Sequence, residues 1–207
     1  MTIYTKEQLQ ALPKIFRLNL INSITGIKPA NLIGTKSPRG LTNLAIFSSV
    51  VHLGSHPALL GLFVRPGDEV PRHSFENLKA TGHYTINHVH ADFIARAHQT
   101  SAKYPVEVSE FSACGFTEEY LPDFPVPFVQ ESPLKIGMRL VETLPIRANG
   151  TTLVIGEVQL LQLDQSILST EGYLDLEASG AAGISGLNSY YRLQKIASFP
   201  YARPEEK

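Results

Sequence analysis

The chain has 207 residues, a mass of 22.8 kDa and nearly balanced charge, 18 Lys and Arg against 19 Asp and Glu. With 43% hydrophobic and 18% charged residues it is no disordered chain, and the even balance argues against a dedicated nucleic-acid binder or a polybasic membrane anchor. One domain over 1–207 is expected. Mean hydropathy is −0.03 and no run of about 20 apolar residues occurs, so no membrane-spanning helix is predicted. The single cysteine, Cys114, excludes an intramolecular disulfide and argues against a cysteine-based zinc site. The N-terminal segment lacks the apolar core and cleavage site of a signal peptide. The cytoplasm is therefore the default location, and Asn149-Gly150-Thr151 reads as a turn rather than a glycosylation site.

In chain order, Thr5 and Gln8 have capping-box spacing ahead of Leu9 and Leu12, predicting a first helix that Pro13 ends or kinks. Ile15, Phe16, Leu20 and Ile24 mark a second, amphipathic stretch. Strand signals follow over 30–35, 44–51, 59–64, 84–89, 137–144 and 151–163, with Asn149-Gly150 as a hairpin turn between the last two. Two short helices interrupt them. One runs from Ser74, read as the N-cap, to Thr81 with Gly82 as its stop; the other covers 90–100. Strands outnumber helices without alternating with them, which favours an antiparallel barrel over a doubly wound sheet.

The chemistry-bearing motifs are few. No dinucleotide-binding glycine fingerprint follows a strand, and there is no phosphate-binding P-loop and no serine-hydrolase elbow. All seven histidines fall between His52 and His98. His88 and His90 would share one face of a strand, but only Asp92 joins them as a candidate metal ligand, so surface or loop histidines are the better reading. Arg72 and His73 precede a helix whose first N–H groups lack internal partners. That is an anion site suited to phosphate, or, taken alone, a helix capped by Ser74 beside a solvated arginine. Between Gly40 and Ser49, small and polar residues are set into an apolar strand. This is either a strand with one polar face or a surface that lets a flat ligand reach main-chain groups. Neither segment supplies an evident base or nucleophile, as befits a protein whose cofactor does the chemistry.

Taken together, these segments resemble the flavin reductase-like proteins of the FMN-binding split-barrel fold. Asn43-Leu44-Ala45 with Ser48 matches the family's N-x-A-x-x-S, and His56-Pro57-Ala58-Leu59-Leu60 matches its strand entry. Arg72-His73-Ser74 with Asn77 stands where the family has K/R-D-T and then N-I. The segments 81–87 and 153–158 match two further strands, and the likeness runs over roughly 20–165. His73 replaces the usual Asp, Ala58 a second Pro, and Ile46 a frequent Pro. The resemblance implies a mainly β, antiparallel Greek-key split barrel with a few short helices, forming a homodimer with FMN (or FAD) near the interface. It implies that Asn43, Ala45, Ser48 and Ser49 line the ring and ribityl side, and that Arg72, Ser74 and Asn77 lie around the phosphate, with His73 beside them as a further cofactor-binding candidate. The implied activity is an oxidoreductase accepting hydride from NAD(P)H on the flavin. The rivals are an FMN-binding electron carrier without nicotinamide oxidation and a non-flavin structural or metal-binding barrel. Tyr190 and Tyr191 are expected to pack rather than to cover the flavin.

Overall fold

The computed structural model describes residues 1–67 and 72–204. Helix α1 (Lys6–Ala11) opens on the anticipated capping box: the Gln8 N–H donates to the Thr5 hydroxyl at 3.3 Å, and the Thr5 N–H donates to the Gln8 side chain at 2.8 Å. Pro13 ends it and starts α2 (Lys14–Ser23). This second helix has the expected apolar period, yet none of its residues is buried, and Ile15, Phe16, Leu18 and Ile21 face solvent.

Strands β1 (Lys28–Pro29), β2 (Asn31–Lys36), β3 (Thr42–Phe47), β4 (Val50–Ser55) and β5 (Ala58–Val64) follow. The predicted strand 44–51 is thus two strands, broken at Ser48–Ser49. Helix α3 (His73–Thr81) stops at Gly82, whose φ of 73° is the left-handed conformation that glycine adopts without strain. After β6 (His83–His88), the single helix expected over 90–100 is a 3-10 turn (Ala91–Phe93) running into α4 (Ile94–Gln99). The remaining elements are α5 (Glu110–Ala113), β7 (Glu118–Glu119), β8 (Phe128–Val129), β9 (Leu134–Ile146), β10 (Thr151–Leu163), β11 (Ala182–Ser185) and β12 (Ser189–Arg192). Strands β9 and β10 form the hairpin that Asn149-Gly150 announced.

Seven strands make one antiparallel sheet in the order β3-β2-β6-β9-β10-β5-β4. Its two edge strands, β3 and β4, are consecutive in the chain. Phe47 and Val50 are three residue steps apart, so they lie within about 11 Å of each other. The sheet must therefore curl until its edges meet at the Ser48–Ser49 corner. The two edges have no ladder between them among the described residues. That is a split barrel.

The interior is filled by Ile33, Leu62, Val64, Tyr84, Ile86, Leu134, Ile136, Met138 and Val154. A second cluster, including Leu32, Leu44, Phe93 and Phe111, lies on the other face of β2 and β3 under α4, α5 and β11. Strand β11 pairs with β1, so the C-terminal hairpin closes beside the start of the barrel. One contact explains a motif residue: a Cβ on Gly156 would collide with the Tyr84 hydroxyl. The glycine in the β10 motif is thus space for the tyrosine in the β6 motif. No helix among the described residues is long and apolar enough to cross a membrane.

Candidate functional site

The two suspected segments meet. Asn43 on β3 donates through Nδ2 to the Ser74 hydroxyl at 2.8 Å, and both side chains are buried. Thr35, the cross-strand partner of Asn43 on β2, accepts from Asn77 Nδ2 at 3.2 Å. Ser74 and Asn77 are three apart on α3 and so lie on one helix face. Two polar rungs thereby hold the start of α3 against the β2–β3 ladder. Thr35, which is fully buried, was not among the expected site residues.

Ser74 was expected to cap the helix. It is instead the second helical residue, because its hydroxyl is engaged with Asn43; Arg72 occupies the N-cap and makes no side-chain cap bond. The N–H groups of the first turn thus lack both an intrahelical partner and a side-chain cap. Arg72 turns back through Nε to the Pro66 carbonyl at 3.1 Å, which leaves both terminal nitrogens of its guanidinium outside that bond.

Ala45 and Phe47 continue the face that Asn43 begins, covering about 13 Å of strand at about 3.3 Å per residue. At the far end, Ser49 Oγ donates to the Phe63 carbonyl at 3.0 Å and accepts from the Phe63 N–H at 3.2 Å, which splices the corner onto β5. Ser48 is the other corner residue. The site residues therefore form a line, with a donor-rich helix start at one end and the Ser48–Ser49 corner at the other.

Glu110, the first residue of α5, was not foreseen. It is 6% exposed, and its Oε2 accepts from the Leu44 N–H at 3.0 Å on the outer edge of β3. Burial raises its pKa; the bonds from the Leu44 N–H and its own N–H, and the nearby His73, oppose that rise in part. Glu110 and Leu44 are 66 positions apart, so no local pattern announces the contact.

The histidine pair has other work. His88 ends β6, and burial pulls its pKa down to about 4. His90 Nδ1 accepts from the Asp92 N–H as the cap of the 3-10 turn. Among the described residues no three His, Cys, Asp or Glu side chains converge as metal ligands. Tyr190 packs against the second core cluster, with its hydroxyl 3.0 Å from His98 Nδ1, and burial pushes its pKa up to about 12. Tyr191 is more exposed.

This donor set fits an elongated ligand with a phosphate tail. The helix start offers N–H groups, a hydroxyl and an arginine, which are the groups that bind phosphate. The β3 edge beyond Leu44 offers main-chain groups to a flat ring.

Known proteins share this fold. Residues 27–176 match the model of the flavin reductase like domain. An uncharacterized protein of Halalkalibacterium halodurans is 27% identical over 156 residues, 73% of this chain and 74% of its own length. A crystal structure from Shewanella frigidimarina, described as a flavin reductase with a split barrel domain, is 48% identical with a TM-score of 0.94, covering 98% of this chain and all of that one. Flavoredoxin of Desulfovibrio vulgaris shares the fold at 18% identity and a TM-score of 0.74, over 85% of this chain and 92% of its own. The chain, a mainly β antiparallel split barrel, belongs to the flavin reductase-like family.

Proposed function

We propose that this protein is an FMN-binding oxidoreductase that takes reducing equivalents from NAD(P)H. The observation that carries the reading is the Asn43–Ser74 bond, which makes one continuous site of the β3 motif and the uncapped start of α3. FMN bound there would supply the redox chemistry, with a reduced nicotinamide as the source of hydride and a further acceptor for the electrons. The chain's own residues bind and orient. Arg72, Ser74 and the first N–H groups of α3 hold the phosphate. Asn43 fixes the Ser74 hydroxyl, and Asn77 with Thr35 fixes the helix. Ala45, Ser48 and Ser49 line the strand along which the ring lies. His73 is the first residue of α3 and stands at the phosphate end.

The working unit is a homodimer on this reading. Phe63, Leu153 and Leu144 sit side by side across β5, β10 and β9 on the outer face of the barrel, and Val51 and Leu53 lie beside Leu153 over Gly61. Val51, Leu53, Phe63 and Leu144 are all exposed. A contiguous apolar patch of this kind marks a partner surface. Ser49 borders it through its bonds to Phe63, which brings the ring end of the site next to the second copy.

The test is stopped-flow mixing of FMN-loaded protein with NADH or NADPH under argon. Bleaching of the flavin absorbance by either nicotinamide supports the reductase. Bound FMN that neither bleaches contradicts it and leaves an electron carrier.

A further inference from the structure

Helix α2 carries more apolar surface than its own barrel covers. Ile15, Phe16, Leu18 and Ile21 are exposed, and so are Ile24 and Ile27 just beyond them. Phe16 and Leu18 are two residues apart, which sets them about 160° apart around a helix of 3.6 residues per turn. Exposed apolar groups thus stand on opposite sides of α2, and a helix that is apolar all round is one that is buried. The helix also brings cations: Lys14 and Arg17 on α2 and Lys6 on α1, against the single acid Glu7.

A groove of complementary character lies between residues 169–177 and 193–201. It has a volume of about 730 Å³, and Tyr173, Leu176, Phe199 and Tyr201 line it. Phe199 and Tyr201 are 87% and 91% exposed. Glu171, Asp175 and Glu177 stand along one wall, with Lys195 on the other. The Lys195 N–H donates to Glu177 Oε2 at 2.9 Å, which ties the two walls together. Among the described residues that line the groove, none belongs to α2. Yet the two features share a root: Ile27, which follows α2, and Leu193, which starts the second wall, both close on Gly183 of β11. Helix α2 and the 193–201 wall lie outside the stretch 27–176 that matches the flavin reductase like domain.

We propose that this groove receives α2 of a second copy of the chain, reciprocally, so that the homodimer exchanges its helices as a contact additional to the Phe63 face. A helix laid into an apolar groove is a recurring mode of recognition. Here the three cations of the incoming segment meet the three carboxylates of the wall. The shared root at Gly183 suits the exchange, because a two-fold axis beside it carries each α2 over the other copy's groove. The exposed apolar residues of α2 and of the groove offer on the order of 1,000 Å² per copy, against about 800 Å² buried by each partner in a standard interface. A membrane surface would cover only one side of α2 and leave either Phe16 or Leu18 in water.

The experiment has two readouts on the full chain. Phe16→Cys and Tyr173→Cys proteins are mixed at micromolar concentration, left to exchange subunits and treated with a short bismaleimide; the native Cys114 is buried. The product of doubled mass should be about ten-fold stronger in the mixture than in either protein alone. Sedimentation equilibrium then compares wild type with the Ile15→Glu, Phe16→Glu double variant. Each large apolar side chain lost from a buried contact weakens association about ten- to a hundred-fold, so the double variant should dissociate at least a hundred-fold more readily. Circular dichroism checks its fold, and Tyr173→Glu on the facing wall decides the matter if the α2 variant does not fold. A monomeric wild type, an unchanged dissociation constant in the folded variants, or a cross-link no stronger in the mixture overturns the exchange. So does binding of wild type to phosphatidylglycerol vesicles that the double variant loses while its dimer persists. FMN titration of the wild type runs alongside, and a failure there counts against the flavin reading alone.

Discussion

The Asn43 amide and the Ser74 hydroxyl are 31 positions apart and joined by a buried hydrogen bond. That bond is the joint between barrel and helix. Asn43→Ala leaves the Ser74 hydroxyl buried without its donor, and such a group costs about 1–3 kcal/mol. In a chain of this size each kcal/mol lowers the melting temperature by about 2–4 °C. Calorimetry on Asn43→Ala should show that loss, and Ser74→Ala in the Asn43→Ala background should add little. Fully additive losses would mean that the two side chains do not act as a pair.

Tyr84 and Gly156 make a second pair, across the barrel interior. Gly156→Ala should destabilise by about 1–3 kcal/mol through overpacking. Tyr84→Phe removes the atom that the new methyl group meets, so the double variant should recover part of that loss. Denaturant midpoints for the four proteins check this; absence of recovery would place the strain elsewhere.

Much of this architecture was legible. The apolar runs of β2, β5, β6 and β10 and the Asn149-Gly150 turn sufficed for the antiparallel sheet, because strand burial writes itself into local hydrophobicity. The break at Ser48–Ser49 was not legible. Residues 44–51 form one unbroken strand-like run without Gly or Pro, and only closure of the barrel makes the chain switch edges there. The period of α2 predicted a helix without showing that its apolar face would lie outside the core. At the site, Asn43 and Ser74 were each visible as odd residues in their segments. Their contact, and the roles of Thr35 and Glu110, come from tertiary pairing that no spacing encodes.

His88 makes stability fall in mild acid. Its folded pKa of about 4 lies below the ordinary value of 6.5, so the unfolded chain binds the extra proton first. The contribution is intact above pH 6.5 and is lost as the pH falls toward 4. His88 keeps partial exposure, so the loss is of the order of 2 kcal/mol. Burial of Glu110 acts in the opposite sense, so the wild-type profile should be read against that of His88→Gln. The difference between the two urea-unfolding profiles should open between pH 6.5 and 4. Parallel profiles would show that His88 does not titrate differently on folding.

The exposed row through Phe63 predicts assembly. Light scattering at micromolar concentration should report twice 22.8 kDa for the wild type. Phe63→Glu should give the monomer, with weakened flavin binding because Ser49 borders the same surface. A wild-type monomer that holds flavin would contradict the dimeric site.

The central claim is that the start of α3 holds the phosphate of a flavin whose ring lies along β3. It is tested most directly by calorimetric titration of wild type and Arg72→Ala with FMN and with riboflavin, which differ only in that phosphate. Loss of a charge-assisted hydrogen bond costs about 1.5–3 kcal/mol. FMN affinity should therefore fall by about ten- to a hundred-fold in Arg72→Ala while riboflavin affinity holds. Equal losses for the two ligands, or no flavin binding by the wild type, would contradict the claim.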